Sequence, residues 1–334
     1  MHCEGFGTSR CGAFRTGLAA GGSAGRERRL PDDPTESNGT MTTHASGSIY
    51  VAHSLPNALD ALAERGAGGA AFAGGTWIMR SPIRHEPLKP HYVAIGTIPE
   101  LTTITIAPDA VEIGAAVTHA ALAAALADIP EFDVLTTAAG RSANPAIRTM
   151  ATIGGNLATS GFAAADCVPA LLCLDAEVEI SGPGNGDRMS LQRFLGIRST
   201  LAPGHLLTRI ILARHGRRTA HARLSLRKGG DYPVAIISLA VSCDAAGQVR
   251  TARIAVGSVE PVARRWERLE TAIVGRPIDP SLMAELAAEF ASDFVGRDGV
   301  EAPAWYRLSV LPSLVRRAAV AALGGTTPLP RMDS

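Results

Sequence analysis

Two pairs of neighbouring glycines are the residues of this chain best suited to chemistry, and each pair has polar neighbours. The first pair lies in Ala73-Gly74-Gly75-Thr76 and the second in Thr152-Ile153-Gly154-Gly155-Asn156. Because glycine has no side chain, backbone N–H groups at such a pair can cradle a phosphate. Either loop alone could be a simple turn. Two loops with matched chemistry indicate a dinucleotide with a pyrophosphate.

The commoner phosphate-binding signatures are missing from the sequence. No G-x-G-x-x-G string opens a helix after a strand, which argues against a Rossmann dinucleotide site. No G-K-S or G-K-T string exists, so a P-loop is excluded. A bound dinucleotide would therefore need another fold.

The sequence indicates neither a metal centre nor a catalytic nucleophile. The five cysteines are Cys3, Cys11, Cys167, Cys173 and Cys243, with no C-x-x-C pair and no zinc-finger spacing. Iron–sulfur ligation normally needs four cysteine thiolates that lie closer together in the sequence than these do. No Ser/His/Asp or Cys/His arrangement follows the logic of nucleophilic catalysis. We therefore predict no metal ligands and no catalytic side chains, and we expect reduced core cysteines in a cytoplasmic protein.

The bulk composition is that of an ordinary globular protein. The 334 residues leave room for two domains, and 46% of them are hydrophobic while 19% are charged. The formal net charge of +1 gives no electrostatic case for nucleic acid, and 4% aromatic residues leave little for base stacking. No apolar run approaches the length of a membrane span.

The beginning of the chain differs from the remainder. Residues 1–48 are rich in Gly, Ser, Thr, Arg and Pro without sustained periodicity, which predicts a disordered extension. Met41 stands just before the first regular stretch, so we expect that translation could start there. Mass spectrometry of the native N-terminus would decide between the two starts.

From residue 49 onward, strand and helix patterns follow one another without strict βαβ alternation, which predicts an α+β fold. Residues 54–65 predict a helix with Ser54 as its N-cap and Pro56 in the first turn. Residues 70–73 predict a strand that runs into the first glycine pair. A basic, polar stretch at residues 214–219 marks a plausible domain boundary. Three helices are predicted beyond it, at residues 264–274, 281–291 and 309–323.

A series of strings in fixed order carries a resemblance to a known family. They include Asn144-Pro145-Ala146-Ile147-Arg148 before the second glycine pair, Pro169-Ala170-Leu171-Leu172 after it, and Arg227-Lys228-Gly229-Gly230-Asp231-Tyr232 further on. With them, the chain resembles the medium, FAD-binding subunit of the molybdenum hydroxylases, the family of carbon monoxide dehydrogenase and xanthine dehydrogenase. The resemblance spans roughly residues 49 to 320.

This resemblance implies a fold and a cofactor. The fold would be a p-cresol-methylhydroxylase-type FAD-binding domain with two lobes over residues 49–216, followed by a smaller α+β C-terminal domain over residues 217–325. The cofactor would be FAD, with its pyrophosphate on the two glycine loops, its hydroxyls on Asp166, its isoalloxazine ring against Leu207, and Lys228 where the C-terminal domain approaches. The implied site residues are Ala73, Gly74, Gly75, Thr76, Trp77, Thr152, Ile153, Gly154, Gly155, Asn156, Asp166, Leu207 and Lys228.

The resemblance also implies a function and partners. A molybdopterin-binding large subunit would hydroxylate the substrate, and a [2Fe-2S] small subunit would pass the electrons to this chain. FAD would then deliver them to an external acceptor, which could be NAD, a quinone, a cytochrome or oxygen. The alternatives are a self-sufficient FAD-dependent oxidase or reductase of the same broad fold and a non-catalytic assembly protein without flavin.

Two residues depart from the family pattern, and one string that follows the pattern has a role of its own. Trp77 follows the first glycine pair where relatives more often have Asp or a small polar residue, and His205 stands where they usually have Glu. We expect His205 to be a surface residue on a turn. For Trp305-Tyr306-Arg307 we predict a packing role, because an aromatic pair that opens an apolar helix usually anchors a core.

Overall fold

The first lobe contains a small parallel sheet, and the first glycine pair lies just after one of its strands. The computed structural model describes residues 47–183, 186–226 and 232–324. The elements of the first lobe are β1 Ser48–Val51, α1 Leu55–Arg65, β2 Gly69–Phe72, a 3₁₀ helix Ile78–Arg84 and β3 His91–Ala94. The strands pair in parallel in the order β1-β3-β2. The glycine pair therefore lies at the carboxyl end of β2, an edge strand.

Helix α1 forms where the sequence predicts it. The Ser54 side chain accepts a hydrogen bond from the N–H of Asn57 at 3.3 Å, and Gly66 with φ 51° follows the last turn. Its apolar stripe includes Leu62, which packs in one cluster with Val93 of β3. The capped, amphipathic pattern thus fixes both the ends of the helix and its buried face.

The second lobe is an antiparallel sheet with helices packed on it. A short helix, α2 Pro99–Thr102, joins it to the first lobe. Its elements are β4 Ile104–Ile106, β5 Ala110–Gly114, α3 His119–Ala125, α4 Asp133–Arg141, α5 Pro145–Arg148, α6 Ile153–Ala158, α7 Cys167–Cys173, β6 Glu177–Ser181, β7 Asp187–Ser190, α8 Leu191–Ile197 and β8 Leu206–Ala213. The strand order is β4-β5-β8-β6-β7. All seven residues of α7 are buried, so this helix is the centre of the lobe's core.

The C-terminal region folds as a second antiparallel sheet with helices. Its elements are β9 Arg218–Leu224, β10 Ala235–Cys243, β11 Val249–Gly257, β12 Arg264–Arg265, α9 Glu267–Ile273, α10 Pro280–Glu289, α11 Ala304–Ser309 and α12 Leu311–Ala322. The strand order is β12-β11-β10-β9, and α12 packs against β9 and β10. The predicted α+β class is confirmed. No helix among the described residues is long and apolar enough to cross a membrane.

One predicted helix begins later than its sequence pattern indicates. Residues 264–274 were expected to be helical throughout, but Arg264 and Arg265 pair as a strand with Val256 and Ala255 of β11. Helix α9 then begins at Glu267. The edge of the sheet offers these two residues a pairing that their local sequence does not signal.

A single carboxylate joins the end of α7 to the C-terminal sheet. Asp175, with φ 56°, lies 2.9 Å from a guanidinium nitrogen of Arg217, 2.9 Å from one of Arg253 and 3.6 Å from one of Arg265. Buried Glu270 pairs with Arg265 and also accepts a hydrogen bond from the N–H of Ile254. These contacts fix the C-terminal sheet on the second lobe.

The expected packing role of residues 305–307 is wrong for the tryptophan. Trp305 is 69% exposed, and the buried residue of the string is Arg307, which is 0% exposed. The Arg307 guanidinium donates hydrogen bonds to the carbonyl oxygens of Arg297, Val234 and Ser258 and to the carboxylate of Glu301. Helix α11 is thus anchored by a buried cation and not by its aromatic pair.

We predict that Arg307→Met destabilises the protein strongly. The change leaves three carbonyl oxygens and the Glu301 carboxylate without their donor in a buried setting, which costs about 3–5 kcal/mol. Urea unfolding followed by near-ultraviolet circular dichroism would measure the loss. Arg316→Met, on the exposed face of α12, removes the same charge and is expected to change stability by less than about 0.5 kcal/mol. Equal effects of the two substitutions would contradict the anchoring role.

Candidate functional site

A cavity of about 880 Å³ lies where the two lobes and the first strand of the C-terminal sheet meet. Its described wall includes residues from β2 and the loop after it, from α6 and the segment before it, and Arg223 from β9. The sequence-predicted site residues on this wall are Ala73, Gly74, Gly75, Thr76, Trp77, Thr152, Gly154, Gly155, Asn156, Asp166 and Leu207. Ile153 is instead fully buried in the core of the second lobe, and Lys228 lies outside the described residues.

The first glycine loop offers free backbone donors. The N–H groups of Gly74, Gly75 and Thr76 have no acceptor in the part of the chain that the structure describes. Gly75 has φ 65°, a left-handed conformation in which a β-carbon would be strained. Consecutive unpaired N–H groups on a cavity wall are the arrangement that binds a phosphate. This loop therefore fits the role that the sequence predicts for it.

Glycine is required at Gly74 for a second reason, which is contact between the lobes. A β-carbon at this position would lie 1.7 Å from the carbonyl oxygen of Met150 and 2.6 Å from its carbonyl carbon. No rotation of a side chain relieves such an overlap, because the neighbour is backbone. The loop of the first lobe thus packs directly on the segment that leads into the second glycine pair.

The expectation of bare N–H groups is wrong for the second glycine pair. Thr152 is the N-cap of α6, and its Oγ1 accepts the N–H of Gly155 at 3.2 Å. The N–H of Gly154 donates to the carbonyl oxygen of Ala115 at 2.8 Å, and that of Ile153 donates to Val117 at 2.9 Å. These glycines allow α6 to begin close to a neighbouring strand end, and a β-carbon at Gly154 would lie 2.6 Å from the Ala115 oxygen.

Asp166 is a buried carboxylate on the cavity wall. It is 4% exposed and precedes α7. Its Oδ1 lies 2.8 Å from Nε of Arg223 and 3.7 Å from Nε2 of His221, both on β9. No described residue donates a well-aligned hydrogen bond to Oδ1. A carboxylate on a cavity wall has further lone pairs that can accept a ligand hydroxyl, which is the role the sequence predicts.

A buried histidine on the same wall was missed by the sequence analysis. His119, the first residue of α3, is 3% exposed, and its Nδ1 lies 2.7 Å from the Ser142 hydroxyl. The Ser142 hydroxyl also lies 2.9 Å from the carbonyl oxygen of Ala139. Burial lowers the pKa of His119 to about 4. The imidazole is therefore neutral, and a polar residue opening an Ala-rich helix was its only sequence signal.

Trp77 belongs to an aromatic cluster that joins the three parts of the chain. Its ring centroid lies 4.7 Å from that of Phe162, which in turn lies 5.2 Å from that of Tyr232. The Arg84 guanidinium stacks 3.8 Å from the Trp77 ring, and Arg80 donates to the Tyr232 hydroxyl at 2.9 Å. The large residue after the glycine pair therefore has a packing partner in the second lobe.

The described wall carries more positive than negative charge. Its cations are Arg80, Lys89, Arg198 and Arg223, and its one carboxylate is Asp166. This balance favours an anionic ligand such as a diphosphate. His205 also lies on the wall but is exposed, as expected for a residue on a turn. Among the described residues no group of three or more His, Cys, Asp or Glu could hold a metal ion.

Comparison with known proteins agrees with the site. The sequence matches the family described as FAD binding domain in molybdopterin dehydrogenase over residues 43–214, and the family described as CO dehydrogenase flavoprotein C-terminal domain over residues 220–322. The carbon monoxide dehydrogenase medium chain of Afipia carboxidovorans is 31% identical over 79% of this chain and 92% of its own length. The 6-hydroxypseudooxynicotine dehydrogenase complex subunit alpha of Paenarthrobacter nicotinovorans is 29% identical over 85% and 96%.

Solved structures agree as well. The reconstituted CO dehydrogenase from Oligotropha carboxidovorans contains a chain with a TM-score of 0.76 and 25% identity, covering 84% of this chain and 99% of that one. Fold and site together thus define a flavin-dependent oxidoreductase component. The chain belongs to the family of FAD-binding subunits of the molybdenum hydroxylases, and its cofactor is FAD.

We predict that Gly74→Ala abolishes FAD retention. The added methyl group would overlap the Met150 carbonyl oxygen and force the first glycine loop away from the second lobe. Flavin absorbance per protein in the purified chain would measure the loss. Gly161→Ala is the matched control, because nothing lies within 4 Å of a β-carbon there. A Gly74→Ala protein with a full complement of FAD would refute the inter-lobe requirement.

We also predict that His119 contributes to acid destabilisation. Its pKa is about 4 in the folded protein against an ordinary 6.5, so below pH 6.5 the unfolded state binds a proton that the folded state does not. The stabilising contribution is complete above pH 6.5 and declines by about 3 kcal/mol as the pH falls to 4. His119→Gln should flatten the pH dependence of the unfolding free energy across this window, as measured by urea titrations.

The exposed His53 provides the control for that series. His53→Gln should leave the pH dependence as it is in the wild type. If the unfolding free energy of His119→Gln changed with pH between 6.5 and 4 as steeply as that of the wild type, this would contradict a neutral, buried His119.

Proposed function

We propose that this chain relays electrons within a molybdenum-containing hydroxylase or dehydrogenase. A [2Fe-2S] small subunit would supply the electrons, a molybdopterin-binding large subunit would oxidise the substrate, and the external acceptor would be NAD, a quinone, a cytochrome or oxygen. The observation that carries the proposal is the cavity between the lobes of a chain in the FAD-subunit family. FAD, when bound, supplies the chemistry of accepting electrons and passing them on.

We propose that the first glycine loop binds the FAD pyrophosphate. The free N–H groups of Gly74, Gly75 and Thr76 support this role. For the second loop, Thr152, Gly154, Gly155 and Asn156 would line the adjoining part of the cofactor site. The N–H groups of both glycines are hydrogen-bonded within the protein. These residues would therefore contribute to FAD binding through the shape of the cavity wall at the start of α6.

The remaining predicted residues take the roles that the resemblance gives them. Asp166 would accept hydrogen bonds from FAD hydroxyls, which its place on the cavity wall supports. Leu207, 5% exposed and on the cavity wall, would pack on the isoalloxazine ring. The proposed FAD-binding domain covers residues 49–216, and the proposed C-terminal domain covers residues 217–325.

We favour a role as one subunit of a complex over a role as an independent flavoenzyme. The relatives named above are a medium chain and a complex subunit, and each aligns over more than nine-tenths of its length. We further propose a cytoplasmic location, which the free cysteines Cys167, Cys173 and Cys243 support.

We predict that the chain, expressed together with the proteins encoded beside it and purified through a tag, brings down molybdopterin and [2Fe-2S] clusters. Molybdenum and iron analysis with electron paramagnetic resonance would detect them. The Gly74→Ala variant should still assemble, with the iron–sulfur signals present and the acceptor no longer reduced. An active monomer that oxidises an organic substrate without molybdenum would support the self-sufficient flavoenzyme instead.

A further inference from the structure

Arg198 occupies the wall between two cavities. It follows α8 and lines the FAD cavity, and it also lines a neighbouring open groove of about 840 Å³. Ser160 and Ser199 are shared between the two spaces in the same way. The Arg198 side chain therefore borders both spaces without belonging to either glycine loop.

The Arg198 guanidinium is anchored by a backbone oxygen and not by a carboxylate. Its Nη1 donates to the carbonyl oxygen of Leu157 at 2.6 Å. Leu157 lies toward the end of α6, the opposite end from the glycine pair. No carboxylate in the described part of the chain acts on Arg198, and burial lowers the pKa of its guanidinium. Arginine remains protonated all the same.

The charges of the other cations on the cavity wall are screened by solvent or paired with a carboxylate. Arg80 and Lys89 are exposed to water, and their charges are weakened by solvent. Arg223 lies 2.8 Å from the Asp166 carboxylate. Arg198 is thus the half-buried cation of this wall that no carboxylate among the described residues balances. In a cavity from which a cofactor excludes water, such a charge interacts strongly with any negative charge nearby.

The bound cofactor offers two negative charges that Arg198 could balance. One is the pyrophosphate, for which the free N–H groups of the first glycine loop already provide donors. The other arises on reduction, because two electrons taken up with one proton leave the flavin one charge more negative. Because the first glycine loop already provides donors for the pyrophosphate, Arg198 is left to balance the second charge.

We propose that Arg198 is a positioning residue that raises the reduction potential of the bound flavin by stabilising the negative charge gained on reduction. This inference rests on FAD binding and extends the proposed relay, since a higher potential draws electrons from the iron–sulfur partner toward the flavin. In the experiment below, dithionite supplies the two electrons that reduce the flavin, and water supplies the proton that is taken up with them.

The test is a dye-equilibrated redox titration of the full-length, FAD-loaded protein. Arg198→Gln removes the charge and is expected to lower the ratio of reduced to oxidised flavin about tenfold at a fixed potential, which is about 30 mV for a two-electron couple. Arg198→Lys keeps the charge and should retain most of the wild-type potential. Arg193→Gln removes the same charge from an exposed position of α8, the helix that Arg198 follows, and should leave the potential unchanged.

A second readout separates charge from structure. The wild-type flavin should take up one proton with two electrons to a lower pH than free FAD titrated alongside it, and Arg198→Gln should move this transition toward that of free FAD. A purely structural role would change thermal stability or FAD affinity without moving either the potential or the proton uptake.

Two results would overturn the proposal. One is an Arg198→Gln protein with weaker FAD binding but the wild-type potential, which would place Arg198 on the pyrophosphate. The other is wild-type proton uptake identical to that of free FAD, which remains measurable even if Arg198→Gln retains no cofactor. A wild-type chain that binds no FAD at all would instead contradict the assignment of the cofactor, so the two failures are distinguishable.

Discussion

The site depends on how closely two stretches of backbone approach at Gly74. The carbonyl oxygen of Met150 lies where the β-carbon of any other residue at position 74 would be. This contact holds the loop of the first lobe on the segment that leads into α6, so the two glycine pairs share one cavity. The first pair keeps its N–H groups free, whereas the N–H groups of the second pair are used to start a helix beside Ala115. Similar sequences thus have different physical tasks.

The third wall of the cavity comes from the C-terminal sheet, and charged contacts hold it in place. Asp166 faces Arg223 of β9, and Asp175 contacts three arginines, which are Arg217 just before β9, Arg253 of β11 and Arg265 of β12. A carboxylate surrounded by guanidinium groups at a partly buried junction loses much if the partners separate, because each charge would then lack its counterion. The aromatic cluster of Trp77, Phe162 and Tyr232 adds a contact between the three parts of the chain.

The electrostatics of the cavity follow from burial. His119 is buried and neutral, so it supplies a polar wall without a charge. The exposed cations favour entry of an anionic ligand but are weakened by solvent. Arg198 is half-buried and has no carboxylate partner among the described residues, so solvent screens its charge less than that of the exposed cations. A cofactor that becomes more negative on reduction would feel this charge most, since its own binding displaces the water that screens it.

The sequence by itself determined the local structure and the chemistry of the loops. Helix α1 formed between its Ser54 cap and Gly66, and the glycine strings with their flanking residues pointed to FAD, because caps, periodicity and motif residues are encoded within a few positions of one another. Only the tertiary structure decided which N–H groups stay free, that Arg264 and Arg265 pair as a strand, and that Arg307 and not Trp305 is buried. It also brought His119 and Arg198 to the cavity. Those outcomes depend on acceptors, sheet edges and counterions that lie far away in the chain, which no local pattern records.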